Sequence, residues 1–282
     1  MVKQGKHYTI IAHASLLLGV LIMLFPVYIA WDASTHTAQE LLASPFPVKP
    51  GSHWWANLYQ VLFHNVGAVG NQPIWLLLRN SLIMALSIAI GKIAVSIISA
   101  YAVVYFRFPL RKVFFWLIFA TLMLPVEVRI LPTFQVVAGY HLLNTFTGLS
   151  LPLIASATAT FLFRQFFMTV PAQLVDAARI DGAGPIRFFW NILLPISRTN
   201  IAALFIILFI YGWNQYLWPL VVTTQSDRDT ILMGVQQLAL VADQIPQWNI
   251  VMTVAFLAIL PPVLVVLLMQ HWFVKGLTES EK

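Results

Sequence analysis

Cysteine is absent from this chain of 282 residues. Disulfides, thiolate metal ligands and cysteine nucleophiles are therefore excluded. Charge is scarce: 16 Lys and Arg and 10 Asp and Glu make up only 9% of the residues, against about 25% in a soluble globular chain. So few charges do not coat a soluble surface, which excludes a disordered chain, a nucleic-acid arm and an ordinary cytosolic enzyme. The basic excess is spread along the chain instead of forming a patch, so nucleic acid is not an expected partner. Catalytic patterns are missing too. Gly91-Lys92 is followed by Ile93, with Leu86 where a phosphate-cradling loop needs its first glycine. None of the seven histidines forms an i, i+4 pair, and no H-E-x-x-H or G-x-S-x-G occurs. The expectation is a chain that is not an enzyme, with no catalytic residue, no metal and no cofactor of its own.

What the chain does have is apolar length. Sixty per cent of its residues are hydrophobic and the mean hydropathy is +0.82. A membrane-spanning helix needs about 20 mostly apolar residues. Six runs qualify: Ile10–Trp31, Asn80–Phe106, Val113–Val137, Ser150–Phe167, Asn200–Val222 and Ile250–Phe273. The predicted fold class is an all-α polytopic membrane helix bundle with six transmembrane helices and membrane lipid around it. Basic residues set its orientation. Lys3, Lys6, Arg107, Arg111, Lys112, Arg164, Arg179, Arg187, Arg198, Lys275 and Lys282 fall on one side; Lys49, Arg79 and Arg228 fall on the other. By the positive-inside rule both termini are expected in the cytoplasm.

The first run is read as an uncleaved anchor with numbering kept from Met1, because it exceeds a signal-peptide core and no small-x-small cleavage site follows. The outer segment Asp32–Arg79 holds Trp54, Trp55, Tyr59, Phe63 and Trp75. Two readings of it stay open: an aromatic belt at the membrane surface, or a docking loop for an external partner.

Between the fourth and fifth runs lies the most informative stretch. Pro171 suits a first helical turn. Good helix formers follow, and Gly182 and Gly184 end the helix. Ala177, Ile180 and Gly184 are expected on one face at i, i+3, i+7, with Ala178 and Gly182 beside them, a small-sided stripe that another backbone can approach. Pro185 is placed to begin a second short helix. The fixed positions are Asp176-Ala177-Ala178, Gly182 three residues on, then Ile192 and Leu194-Pro195. This spacing resembles the EAA loop of ABC importer permeases, with Asp in place of the usual Glu. The resemblance extends to Asn80-Ser81, Trp213-Asn214, Trp218-Pro219-Leu220 and the tail 273–278, which are similar to carbohydrate-type importers and to their second, maltose-permease-G-like subunit. Residues 122–129, 155–168 and 211–219 resemble the glycerol-3-phosphate importer permeases.

The resemblance implies a type I ABC importer transmembrane fold. It divides the chain into a first helix and periplasmic loop over 1–75, a core over 76–275 with a coupling helix near 171–184, and a cytoplasmic tail over 276–282. It implies a bacterial inner-membrane permease that works with a sister permease subunit, two ATP-binding subunits and a periplasmic substrate-binding protein. ATP would be bound on the partner subunits. The implied cargo is sn-glycerol 3-phosphate and glycerophosphodiesters; a neutral oligosaccharide or polyol is the alternative within the class. A self-contained secondary transporter would need internal repeats or a chain of acidic residues, and neither is seen.

Lys92, Glu127 and Arg129 lie inside spans, where a charge costs about 2.5–3.5 kcal/mol on insertion scales. Counted from the inner ends, Lys92 and Glu127 both lie about 21 Å deep at 1.5 Å per residue, so an intramembrane ion pair is expected. Arg129 faces nearly away from Glu127. It either snorkels or bonds freed carbonyls, or it is a cationic element of an anion pathway. Asn214 and Gln215, deep in the fifth run, either bond between helices or line that pathway.

Overall fold

The computed structural model describes residues 6–43, 47–66, 69–121, 126–240 and 246–278. All secondary structure among them is helical, apart from one isolated bridge between Val66 and Gln72. This follows from the solvent: a backbone in hydrocarbon must satisfy its own polar groups, and a helix does so within one segment.

The chain divides into two compact units. One comprises Met1–Leu76 with Gly234–Leu260, the other Leu77–Met233 with Pro261–Lys282. The first unit opens with α1 (Lys6–Ser34), apolar on every side, none of whose spanning window is buried within the chain. Such a helix requires lipid or a partner chain around it. Its last turn enters a polar knot. Asp32 is fully buried, and His36 Nε2 lies 3.9 Å from its carboxylate and 3.0 Å from the Lys49 carbonyl. The short helix α2 (Ala38–Leu42) begins with a reciprocal capping box between Thr37 and Glu40. The Thr37 backbone N–H, helped by His36, holds the Glu40 carboxyl below its ordinary pKa. In α3 (Trp54–Phe63), Asn57 is buried and its amide donates to the Ser34 and His36 carbonyls at 2.9 and 2.8 Å. Asn249 in turn donates to Asn57 Oδ1 at 3.1 Å. The opposite face of α3 exposes Trp55, Tyr59 and Phe63 at i, i+4, i+8.

The second unit is built around α4 (Ile74–Tyr105), a helix long and apolar enough to cross a membrane alone. After it come α5 (Arg111–Ala120), α6 (Val126–Gly139), α7 (Phe146–Ser150) and α8 (Ala157–Thr169), then α9 (Ala172–Ile180) and α10 (Pro185–Phe188). A π-helical turn, Phe189–Leu193, leads to α11 (Leu194–Ile196), α12 (Arg198–Trp213), α13 (Leu217–Val222) and α14 (Ile231–Ala239). The last helix, α15 (Trp248–Thr278), is the third that spans by itself. The core of this unit packs Met84 and Ile88 against Val137, Leu149, Leu153, Trp218 and Val222.

The described residues of all six expected runs are largely helical, and two of the runs are visibly interrupted. The run 113–137 holds α5 and α6, with residues 122–125 outside the described set. The run 150–167 bends by 49° between Leu153 and Ala157. There Pro152 allows only a short 3₁₀ turn, and Ser156, in extended conformation, caps α8 by accepting from Ala159 N–H. The run 200–222 stops at Trp213 and resumes at Leu217. The interruption of the fifth run falls within Trp213–Pro219, where a kink is expected from the sequence; apolar length alone does not register where prolines withdraw hydrogen bonds.

Other elements meet the freed groups. Trp218 Nε1 donates to the Leu149 carbonyl at 3.1 Å, and Ser96 Oγ to the Ser156 carbonyl at 3.1 Å. Asn80 donates to the Asp227 and Asp229 carbonyls, and Ser81 Oγ accepts from Ile231 N–H.

Helices α4 and α12 meet at Gly212, where an added Cβ would stand 2.9 Å from the Ala85 Cα, a backbone atom that cannot step aside. Gly212→Ala should cost about 1–3 kcal/mol, the range for overpacking. Gly19→Ala, where nothing lies within 4 Å, should be neutral or slightly stabilising. Thermal unfolding of the two variants in detergent checks the contrast.

Candidate functional site

The stretch between α8 and α12 forms a self-supporting bracket. Helix α9 starts at Ala172, with Pro171 immediately before it in extended conformation. It ends in a Schellman motif: Gly182 N–H donates to the Arg179 carbonyl at 3.0 Å and Ala183 N–H to the Ala178 carbonyl at 2.8 Å. Gly182 has φ +73°, which a residue with a Cβ adopts only under strain. Pro185 then starts α10 at its first position, as expected.

The face predicted from spacing is corrected by this turn. Gly182 is left-handed and Gly184 extended, so neither continues the stripe of Ala177 and Ile180. Ala177 and Ala178 also part company. Ala178 is 4% exposed and turned inward, while Asp176, Ala177 and Ile180 point outward, Ile180 at 86%. Asp176 pairs with Arg179 at 3.7 Å on the open surface, a contact worth little by itself. Ile186 on α10 is 76% exposed. Two isoleucines, Ile180 and Ile186, thus stand free on one bracket of chain. Of the remaining motif positions, Ile192 lies in the π-helical turn, and Leu194 and Pro195 in α11. Pro195 has no N–H to return to the Asn191 carbonyl, which accounts for the widened turn before it. The axis then bends by 71° into α12.

What holds the bracket is an aromatic cluster that the sequence reading missed. Tyr101 OH donates to the Pro185 carbonyl at 2.8 Å, and Tyr105 OH to the Phe167 carbonyl at 3.3 Å. The Tyr101 ring lies 5.0 Å from Phe189 and the Tyr105 ring 5.4 Å from Phe188. A cavity of about 250 Å³ remains under α9, lined in part by both tyrosines, Arg107, Ala178 and Phe188. The signal was available: Tyr101 and Tyr105 are one helical turn apart at the end of a long apolar run.

A second constellation lies in the apolar part of the unit. Lys92 is 7% exposed, and its Nζ sits 3.8 Å from the centroid of the Tyr211 ring, a cation–π contact. Gln215 Nε2 donates to the Tyr211 carbonyl at 3.1 Å where α12 ends. Arg129, exposed on α6, is within electrostatic range of both the Lys92 ammonium and Tyr211. Its carbonyl accepts from Thr133 Oγ1 at 2.7 Å. Asn214 caps α12 and is exposed; Gln215 is half-buried. The structure therefore brings Lys92 and Gln215 to Tyr211, with Arg129 on α6 within electrostatic range. The Glu127 side chain, the expected partner of Lys92, lies outside the described residues.

Residues 92–279 match the family described as the binding-protein-dependent transport system inner membrane component. Over all 282 residues, and over the whole of each relative, the chain is 54% identical to the sn-glycerol-3-phosphate transport system permease protein UgpE of Pectobacterium atrosepticum and 56% identical to that of Agrobacterium fabrum. The fold is that of a chain in the crystal structure of a bacterial ABC transporter involved in the import of the acidic polysaccharide alginate. That match has a TM-score of 0.80 at 18% identity and covers 97% of this chain and 99% of the other.

The left-handed turn is directly testable. Gly182→Val should destabilise the Schellman turn by about 1–2 kcal/mol or more. Hydrogen exchange at the Ala183 amide should then quicken about 5- to 30-fold. Gly182→Asn, which tolerates this conformation, should exchange close to wild type.

Proposed function

Because the chain belongs to the family of binding-protein-dependent transport system inner membrane components, we propose that it is the permease subunit through which an ATP-driven importer passes sn-glycerol 3-phosphate and glycerophosphodiesters. The observation that carries the substrate is the full-length identity of 54–56% to permeases named for it. The presence of Lys92 and Arg129 within electrostatic range of Tyr211 supports it, since glycerol phosphate is largely a dianion near neutral pH and Arg matches phosphate geometry.

In this reading the chain sits in the bacterial inner membrane with both termini cytoplasmic. Its parts are a first helix and periplasmic loop over 1–75, a core over 76–275 and a tail over 276–282. The partners are a sister permease, two ATP-binding subunits and a periplasmic binding protein. ATP is hydrolysed on the ATP-binding subunits; this chain holds neither cofactor nor catalytic group. The bracket bearing Asp176, Ala177, Ala178 and Gly182, continued by Ile192, Leu194 and Pro195, docks on an ATP-binding subunit. Two outward isoleucines support this role, because an exposed apolar side chain on a rigid turn is an anchor waiting for a pocket. Arg129, Asn214 and Gln215 line the substrate pathway, and Lys92 pairs with Glu127 while resting on Tyr211.

Coupling is tested at the anchor. Burying an isoleucine contributes about 1.5–3 kcal/mol, so Ile180→Asp should weaken association with the ATP-binding subunit about tenfold or more. Binding-protein-stimulated hydrolysis should fall with it. Normal stimulation in that variant would sink the docking assignment.

The charges are tested together. Lys92→Met and Glu127→Gln should each lower assembly of the complex, because an unpaired buried charge costs about 3–5 kcal/mol, and the double variant should recover most of the loss. Arg129→Gln should assemble normally and take up glycerol 3-phosphate about tenfold more slowly, the loss of one charge-assisted contact. Additive losses for Lys92 and Glu127 reject the pair; wild-type uptake by the Arg129 variant removes it from the pathway.

A further inference from the structure

A groove of about 640 Å³ opens between the start of α12 and the end of α15. Ile201, Phe205 and Met269 line it, and Trp190 and Trp272 line it with their rings exposed. Arg198, also exposed, is the one charged side chain among the described residues that line it. The groove reaches Pro195, beside the 71° bend between the coupling bracket and α12.

We propose that this groove is a binding site for a phospholipid of net negative charge, with an acyl chain along Ile201, Phe205 and Met269 and the phosphate on Arg198. Three observations carry it. First, the groove lies where two apolar helices reach their ends on the side of the coupling bracket, the depth at which hydrocarbon gives way to headgroups. Tryptophan favours that boundary because one edge of its ring is apolar and its N–H is polar. Second, the lining is amphipathic in the manner of a lipid: eight apolar side chains and one guanidinium. A guanidinium grips two phosphate oxygens at once, and a basic pocket between spanning helices is a recurrent headgroup site. Third, the volume falls in the range of small-molecule sites, about 300–1,000 Å³.

The placement gives the lipid a consequence. The groove wall includes Pro195, so an occupant braces the widened turn and the bend that follows it. Anionic lipid then favours the angle at which the bracket meets its partner, and transport coupling depends on headgroup charge. This goes beyond the proposed substrate and does not depend on it.

The assembled transporter, purified with all its subunits, is exchanged into nanodiscs containing phosphatidylcholine and phosphatidylglycerol, and retained lipid is read by native mass spectrometry. The wild type should retain phosphatidylglycerol over phosphatidylcholine by about tenfold, because the choline ammonium lies near the guanidinium that holds the shared phosphate and repels it. Arg198→Gln should abolish that preference and Arg198→Lys should keep part of it. Ala202→Trp, which fills the groove without touching the charge, should expel the lipid altogether. Stimulated ATP hydrolysis should rise with phosphatidylglycerol in the wild type and not in Arg198→Gln. No headgroup preference in the wild type overturns the proposal, whether or not the variants assemble. So does efficient crosslinking of Ala202→Cys to a neighbouring subunit in native membranes, which would identify a protein occupant.

Discussion

Hydrocarbon offers no water to a freed peptide group, and this constraint decides where the helices of this chain can stop. A break inside a span leaves carbonyls and N–H groups that cost several kcal/mol each if nothing meets them. At the 49° bend the Ser156 carbonyl accepts from Ser96 Oγ and Thr160 Oγ1, while Ser156 Oγ accepts from Ala159 N–H. Where α12 gives way to α13, Gln215 turns back to the Tyr211 carbonyl, and Asn144 Oδ1 accepts from Thr224 and Gln225 N–H just beyond. Several of the few polar side chains in so apolar a chain are placed where backbone is interrupted. Interruption is in turn what turns Gln215 back onto Tyr211, whose ring carries the Lys92 ammonium.

The same logic governs the coupling bracket, with a different solvent. Outside the hydrocarbon the C-terminal end of α9 could be met by water, yet the Schellman turn closes it internally, and the Tyr101 hydroxyl meets the Pro185 carbonyl at the start of α10. An internally closed turn keeps its shape when pushed. That suits a part which, on the proposed reading, must pass motion from an ATP-binding subunit to α12. Side-chain bulk is kept off the turn by Gly182, and the aromatic cluster behind it supplies stiffness through ring packing.

The spans were legible because twenty apolar residues in a row have one stable solution in lipid, and the short helix α9 was legible because good helix formers run from Ala172 to a glycine stop at Gly182. The kink in the fifth run was legible from Trp213–Pro219, whereas the bend between Leu153 and Ala157 was not, since hydropathy averages over the proline and serine that flank it. The face of α9 was misread for a related reason: extending helical periodicity to Gly184 ignores what φ +73° at Gly182 does to every later residue. The Lys92 environment was half legible. Depth arithmetic looks for a carboxylate at equal depth, and it has no way to see that a tyrosine on α12 presents its ring to the ammonium. That contact depends on which faces of α4 and α12 meet, and those faces are set by Gly212 against Ala85, a packing detail with no charge signature.

What the chain leaves exposed argues that it works as one component among several. Its first helix buries none of its spanning window within the chain, Ile180 and Ile186 stand in the open, and α3 carries a bare aromatic row. A self-sufficient soluble protein seldom shows contiguous apolar surface on this scale. The three surfaces differ in chemistry. The α1 surface is apolar all round, which suits lipid. That of α3 is aromatic on one side only, which suits a boundary or a partner. On the bracket Ile180 and Ile186 stand out, with Leu174, among charged and small residues, a pattern sparser than a lipid-facing helix and suited to a pocketed protein surface. The distribution of exposed apolar groups thus sorts solvent from partner, and it does so in the order that a permease anchored in lipid and driven from one side requires.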